Sequence, residues 1–319
     1  MWQRRMHDIS WQRIVLVLLP SALWIFMFVR RYFSTLEYTG AFLNMLWQFQ
    51  AALVLNIWLL HENIWQFNLQ DSLFYGVSVD VLLGQTVLIS SLNLLLTEKK
   101  VLTKFIVDFI VIFVIYIYSA LVTEHEFWWL GLLLMQMLSV LPALLLAEWT
   151  IKQKHIYLRA TLQILCWVCL LYWLFPALVF IGTNDSWSVF LNRSLVDNLL
   201  YLLPMIFPGL ILLSACKEFA VKGDGTPFPY DPPKRLVYTG IYAYISNPMQ
   251  VGICLSMAWW GIILNNFWIS LSAGIAVVLF IVFKDICNGS CTIPDKDSDW
   301  HRYQQQVPKW WLRVTPFKK

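Results

Sequence analysis

The chain has 319 residues, of which 59% are hydrophobic, 16% are aromatic and only 13% are charged. A typical soluble domain carries about 25% charged residues, so this composition excludes an ordinary soluble enzyme, a disulfide-rich secreted scaffold and a disordered regulator. The formal net charge of +4 is too small for a nucleic-acid-binding surface, and the basic residues are scattered. The composition therefore indicates an integral membrane protein.

Long apolar runs account for most of the chain. A membrane-spanning helix needs about 20 apolar residues, and the backbone groups of such a segment must find partners within it. None of the runs shows the two-residue alternation of a membrane β-barrel. The sequence thus predicts an all-α, polytopic transmembrane helical bundle with about nine spans. The nine runs are 14–29, 40–60, 72–96, 101–123, 127–149, 156–182, 195–216, 248–264 and 267–284.

The loops between these runs alternate in positive charge, which tends to remain on the cytoplasmic side of a membrane. The alternation predicts that the loop 217–245 and the C-terminus are cytoplasmic. Nine crossings would then place the N-terminus outside, which Arg4, Arg5 and Arg13 disfavour. The loops that carry Lys and Arg, and are therefore predicted to be cytoplasmic, are those at 30–31, 99–100, 152–154 and 217–245 and the tail from 284.

Polar residues and cysteines inside the apolar runs give few indications of chemistry. Asp80 and Asp108 are carboxylates within predicted spans; such groups are either functional or hydrogen-bonded between helices. No cysteine falls in a predicted outer loop, so no disulfide framework is expected. Cys287 and Cys291 lack a second ligand pair, and no metal site is predicted from them.

The composition changes at residue 217, and this change divides the chain into two predicted regions. Residues 1–216 form N-terminal transmembrane helices of unassigned function. Residues 217–319 form a C-terminal region that consists of a Gly/Pro-rich loop, a helical hairpin and a tail rich in aromatic and charged residues. The loop 222–234 is rich in Gly and Pro and cannot be helical.

The pair Asn247-Pro248 follows this loop and opens the next apolar run. The free backbone N–H groups at such a helix start favour an anionic group. Two short runs joined at 265–266 return the chain to the same side, where the charged and aromatic tail 295–311 meets it. This convergence indicates a cytoplasmic site, although a belt of interfacial Trp and Tyr residues would have the same composition.

The order and spacing of residues in 217–316 carry more information than their composition. The segment resembles the C-terminal catalytic region of the isoprenylcysteine carboxyl methyltransferase and phospholipid methyltransferase superfamily of membrane enzymes. The matching residues are Gly225, Thr226, Pro227, Pro232, Pro233, Arg235, Leu236, Val237, Thr239, Gly240, Tyr242, Tyr244, Asn247, Pro248, Met249, Gly252, Tyr303, Val307, Pro308 and Trp310.

The sequence departs from the superfamily pattern at several positions. Ser246 replaces the arginine before Asn-Pro, and Gln250 replaces a tyrosine. The acidic pair of the pattern falls near Asn288 and Gly289, unless Asp285 substitutes for it. The Phe-Gly position reads Lys-Asp at 296–297, and Trp300 replaces the first spaced tyrosine.

The resemblance implies an S-adenosylmethionine-dependent methyltransferase whose acceptor is a lipid or lipid-linked group. It implies that the cofactor carboxylate lies near Asn247 and Arg302, with its ammonium near Asp285, Asp297 or Asp299 and its adenine against Tyr303 or Trp300. Asp285 and Arg302 are the candidate catalytic residues. The implied cofactor-binding residues are Tyr242, Tyr244, Asn247, Pro248, Gln250, Gly252, Trp300, Arg302 and Tyr303.

Two other interpretations remain open at the level of sequence. Membrane sterol reductases, which bind NADPH, resemble the segment through Trp300, Tyr303, Val307 and Pro308, but their helix-start motif differs from Asn-Pro-Met-Gln at 247–250. Alternatively, the region keeps the fold without catalysis and serves as a membrane scaffold or subunit. The additional N-terminal helices would suit a substrate cavity or a surface for a protein partner.

Overall fold

The computed structural model shows that the chain folds almost entirely into helices. The structure describes residues 2–67, 73–118, 122–124, 126–227, 233–287 and 298–318; in 2–10, 12, 117–118, 122–124, 280–287 and 298–301 it describes the backbone alone. The chain forms two compact units, Met1–His155 and Ile156–Lys319.

The first unit is built on long helices with two short strand pairs at loop positions. Its helices are α1 (Trp2–Arg30), α2 (Thr35–His61), α3 (Val79–Leu95), α4 (Val101–Phe113), α5 (Trp128–Leu134) and α6 (Leu141–Ile151). Its strands are β1 (Trp65–Phe67), β2 (Leu73–Phe74), β3 (Val77–Ser78) and β4 (Val122–Glu124), with β1 antiparallel to β4 and β2 antiparallel to β3. A π-helical segment Met135–Val140 makes α5 and α6 continuous.

Helix α2 shows how the local sequence sets a boundary in this unit. Ser34 caps its start: the Ser34 hydroxyl accepts from the Glu37 N–H, and the Glu37 carboxylate accepts from the Ser34 N–H at 2.7 Å. This reciprocal pair satisfies two donors that a helix start leaves open. Helix α2 packs against α3 and α6.

The two carboxylates that the sequence placed inside membrane spans both have polar partners. Asp80, in the first turn of α3, accepts hydrogen bonds from Arg13 and Ser78, each at 2.5 Å. Asp108 is fully buried and accepts from the Asn93 amide at 2.9 Å. These contacts join α1 to α3 and α3 to α4, as expected for helix-to-helix hydrogen bonds.

The second unit contains the region that carries the sequence motifs. Its helices are α7 (Ile156–Cys169), α8 (Phe175–Thr183), α9 (Ser188–Leu191), α10 (Leu195–Leu202), α11 (Ile206–Glu218), α12 (Pro248–Ile263), α13 (Phe267–Cys287) and α14 (Ser298–Gln306). A π-helical segment Leu170–Leu174 joins α7 to α8, and another, Phe219–Gly223, extends α11. A short 3₁₀ turn, Gly240–Ala243, precedes α12.

The prediction of an all-α membrane fold is confirmed, but the helix lengths support fewer than nine spans. Within the described residues, five helical stretches are long and apolar enough to cross a membrane: Arg13–Arg30, Thr35–His61, Trp128–Ile151, Ile156–Thr183 and Leu195–Gly223. Three predicted runs correspond to shorter apolar helices, Val79–Leu95, Pro248–Ile263 and Phe267–Leu279. The run 101–123 contains α4, which carries the buried Lys104 and Asp108.

Candidate functional site

The loop between α11 and α12 is attached to the end of α11 by a small polar cluster. The Glu218 carboxylate accepts from the Thr239 hydroxyl at 2.7 Å and pairs with the Lys222 ammonium at 3.0 Å. Gly240 has a φ of +59°, and a Cβ there would lie 2.6 Å from Glu218 Cδ. Only glycine meets both conditions without strain, which explains the Thr-Gly pair of the motif.

The 3₁₀ turn places Tyr242 at the centre of the site. Its ring stacks on Phe219 with centroids 5.1 Å apart and 22° between the planes. Its backbone carbonyl accepts a hydrogen bond from the Tyr303 hydroxyl at 2.8 Å. Burial raises the pKa of both phenols, so both remain neutral at physiological pH.

The C-terminal tail holds this turn in place through its backbone. The N–H groups of Arg313 and Phe317 donate to the carbonyls of Tyr244 and Ala243 at 3.0 and 2.9 Å. The Ser246 N–H donates to the Pro308 carbonyl at 2.9 Å. Ser246, at the position of the motif arginine, therefore joins the helix start to the tail.

Helix α12 begins at Pro248, with Asn247 at its N-cap. The Asn247 side chain makes no capping hydrogen bond. Further along α12, a Cβ on Gly252 would lie 2.5 Å from Leu212 Cγ and 3.2 Å from the Pro208 carbonyl oxygen. Gly252 therefore permits α11 and α12 to approach closely, and its role in the motif is packing.

A cavity of about 480 Å³ lies in the second unit against these elements. Its walls come from α7, α8, α11, α12 and α13 and from the loops before α12. No Asp, Glu, Lys, Arg or His side chain in the described part of the chain lines it. Its lining is Ile164, Trp167, Val168, Leu171, Tyr172, Phe175, Leu212, Leu213, Cys216, Phe219, Pro227, Tyr242, Ser246, Asn247, Pro248, Met249, Gln250, Ile253, Cys254, Met257, Ser272, Ala273 and Ala276.

A second, smaller pocket of about 120 Å³ shares a wall with this cavity. It has two cationic side chains, Arg235 and Lys309, and no acidic side chain among the described residues. The residues common to both are Phe219, Tyr242, Ser246 and Asn247. The remaining lining residues of the small pocket are Pro233, Leu236, Val237, Tyr303 and Gln304.

The structure brings together some of the residues that the sequence nominated for cofactor binding. Tyr242 and Asn247 line both spaces, whereas Pro248 and Gln250 line the large cavity and Tyr303 lines the small pocket. Neither lining includes Tyr244, whose carbonyl is engaged by the tail, or Gly252.

Other nominated residues lie elsewhere. Arg302 is exposed on α14 and lines neither space, because the buried face of this helix is the one that carries Tyr303. Asp285 belongs to α13 and Trp300 to α14, but their side chains are outside the described residues, as is that of Asp299. Asp297 and the positions 288–289 also lie outside the described residues.

Sequence reasoning did not nominate several residues that the structure places at the site. Arg235 was matched as part of a motif but not assigned to the pocket that it lines, and Lys309 stands at the variable position of Val-Pro-x-Trp. Phe219 separates the two spaces together with Tyr242. Its position three residues after the predicted span 195–216 gave no signal of this role.

Comparison with known proteins supports the resemblance found in the motifs. The model of the phospholipid methyltransferase family matches residues 202–288, in the C-terminal third of the chain. This segment comprises the whole of α11, the loop with the 3₁₀ turn, α12 and α13. The predicted similarity to this superfamily is thereby confirmed for that part of the chain. No curated protein and no solved structure matches the chain.

Proposed function

We propose that this protein is an integral membrane methyltransferase that transfers a methyl group from S-adenosylmethionine to a lipid or lipid-linked acceptor. The observation that carries the proposal is the shared wall of the apolar cavity and the cationic pocket, formed by Phe219, Tyr242, Ser246 and Asn247 within the segment that matches the family. Methyl transfer requires the two reactants to meet in line, and a junction of two spaces of different polarity provides a place for that.

The small pocket fits the carboxylate of the cofactor. Arg235, Lys309 and the free backbone N–H groups at the start of α12 all favour an anion. Lys309 and Arg235, rather than the exposed Arg302, would hold this carboxylate, with Asn247 beside it. When bound, the cofactor supplies an electrophilic methyl group on a sulfonium. The nominated partners of the cofactor ammonium remain Asp285, Asp297 and Asp299.

The large cavity suits the apolar part of the acceptor. Its volume lies in the usual range for ligand cavities, and its lining is dominated by apolar and aromatic side chains. Burial of a hydrocarbon chain there is favourable, whereas a charged group would lose its hydration without a partner. We further propose that the loop 217–245 and the C-terminus face the cytoplasm.

Calorimetry on the detergent-purified full chain tests the cofactor, with S-adenosylhomocysteine and NADPH titrated separately. We expect saturable binding of S-adenosylhomocysteine alone. Binding of NADPH alone would favour a reductase, and binding of neither would favour a non-catalytic scaffold. Transfer of radiolabelled methyl from S-adenosylmethionine into a lipid extract would then identify the acceptor. The double variant Arg235→Gln/Lys309→Gln should lose most of the S-adenosylhomocysteine affinity, with Arg302→Gln as the matched control.

A further inference from the structure

The large cavity follows helix α12 away from the wall that it shares with the small pocket. Asn247 and Pro248 line the cavity where the helix begins, and Met257 lines it further along. Pro248 and Met257 are nine residues apart, and a helix rises about 1.5 Å per residue, so the lining extends along about 14 Å of α12. The cavity therefore extends from the proposed site of methyl transfer into the helices of the second unit.

The far end of the cavity is formed by Tyr172, Phe175 and Met257, which we call the floor. All three pack into a hydrophobic core that also contains Trp260 and Ile263. Trp260 is 8% exposed and Ile263 is 0% exposed, and neither of them lines the cavity. Side chains thus fill the space between the helices beyond the floor, and the cavity ends there.

Hydrogen bonds and ring packing hold the floor in one position. The Tyr172 hydroxyl donates to the Ser256 hydroxyl at 2.6 Å, and the Trp260 indole N–H donates to the Tyr172 carbonyl at 3.1 Å. The rings of Tyr172 and Trp260 pack edge-to-face with centroids 6.0 Å apart. Because the Tyr172 hydrogen is engaged and Phe175 and Met257 have none to donate, the floor offers no side-chain donor to a polar group.

We propose that the large cavity binds one extended hydrocarbon chain with its methyl end on the floor, and that Tyr172, Phe175 and Met257 limit the length of this chain. A terminal methyl group suits the floor, whereas a polar group would lose its hydration there without a partner. An extended chain advances about 1.2 Å per bond, so a depth of about 14 Å accommodates roughly twelve carbons. The inference rests on the proposed function in one respect: the reactive group of the acceptor lies at the shared wall.

Competition binding with straight-chain alcohols tests this limit, because these probes share one neutral head group and differ only in length. The full chain is purified in digitonin, a steroidal detergent without an alkyl chain that would compete for the cavity. Octanol, dodecanol, tetradecanol and octadecanol each displace radiolabelled dodecanol, at concentrations given as the mole fraction in the detergent. We expect dodecanol to bind most tightly and octadecanol about tenfold more weakly, the effect of overfilling a packed cavity.

Met257→Ala should change the preferred length, because it removes the side-chain atoms of the floor beyond Cβ. We expect tetradecanol to become the tightest-bound alcohol, a gain of binding that loss of structure does not produce. Met135→Ala is the matched control: Met135 is also buried, at 0% exposure, but it lies in the first unit. This control should lose similar packing and keep the preference for dodecanol. If Met257→Ala fails to fold, Met257→Val replaces it.

A preferred length that increases in Met257→Ala and not in Met135→Ala supports the inference. The inference is wrong if no alcohol binds saturably, if wild type binds dodecanol and octadecanol equally, if Met257→Ala keeps the wild-type preference, or if Met135→Ala shifts it as well. Calorimetry with S-adenosylhomocysteine keeps the two proposals apart, since Met257→Ala should leave cofactor affinity unchanged. Absence of cofactor binding in wild type would contradict the methyltransferase and leave the limit on chain length standing.

Discussion

At the scale of single residues, Tyr303 contributes to the site through its hydroxyl group as well as through its ring. The hydroxyl donates to the Tyr242 carbonyl, and the ring packs edge-to-face on Phe317 at 5.3 Å. The tyrosine that the motif presents as a candidate for stacking on adenine thus also fixes the turn that carries Tyr242. Its removal therefore affects the structure of the site and its binding surface together.

Tyr303→Phe should lower the free energy of unfolding by about 1–3 kcal/mol, because the buried Tyr242 carbonyl loses its donor. Burial raises the pKa of Tyr303 above its usual value of about 10. The stability contribution is therefore fully present below pH 10 and declines as the pH rises beyond it. Thermal melts of wild type and variant between pH 6 and 10 check this. A difference that grows toward high pH would contradict it.

Asn247 allows a test based on the sign of a charge. Asn247→Asp places a carboxylate at the N-cap of α12, which is favourable for the helix by about 0.3–1 kcal/mol. The same carboxylate would repel a bound anion in the small pocket. We expect an equal or higher melting temperature together with about tenfold weaker S-adenosylhomocysteine binding by calorimetry. Asn247→Ser, which retains a neutral cap, is the control, and unchanged affinity in the Asp variant would remove Asn247 from the carboxylate site.

At the scale of secondary-structure elements, the site depends on how closely α11 and α12 approach each other. Gly252→Ala should lower the free energy of unfolding by about 1–3 kcal/mol, because its Cβ would meet Leu212 and the Pro208 carbonyl. Gly209→Ala, on α11 with no atom within 4 Å of the added Cβ, should be neutral or slightly stabilising. Melting temperatures of the two variants compare them directly. Equal effects would show that the contact between the helices does not limit stability.

The elements themselves were predictable wherever an apolar run was long enough to be a helix. The start of α12 followed from Asn247-Pro248, because proline suits the first turn of a helix and breaks its interior. The number of spans did not follow, since apolar runs such as 248–264 correspond to helices shorter than a bilayer requires. The length of an apolar run shows only how many consecutive residues are hydrophobic. Whether the segment can cross a membrane depends on where the helix within that run begins and ends.

At the scale of the whole molecule, the site was only partly predictable because side-chain direction depends on packing. Arg302 and Tyr303 are neighbours in sequence, yet one is exposed and the other is buried. Lys309 enters the small pocket from a position that the motif leaves variable. Short motifs locate the segment, and the remaining residues depend on the tertiary structure.

The orientation of the protein in the membrane is predicted only from the distribution of positive charge among its loops. Positively charged loops tend to remain in the cytoplasm, and on this basis we expect the tail and the loop at 184–187 to lie on opposite sides. In a background without the six native cysteines, Ser186→Cys should react with a membrane-impermeant maleimide in intact cells, and Lys318→Cys should react only after permeabilisation. Both positions are exposed in the structure, so a difference in labelling reports sidedness and not burial. Labelling of Lys318→Cys in intact cells would place the tail outside and contradict a cytoplasmic cofactor site, and failure of Ser186→Cys to react there would contradict the outer position of the loop at 184–187.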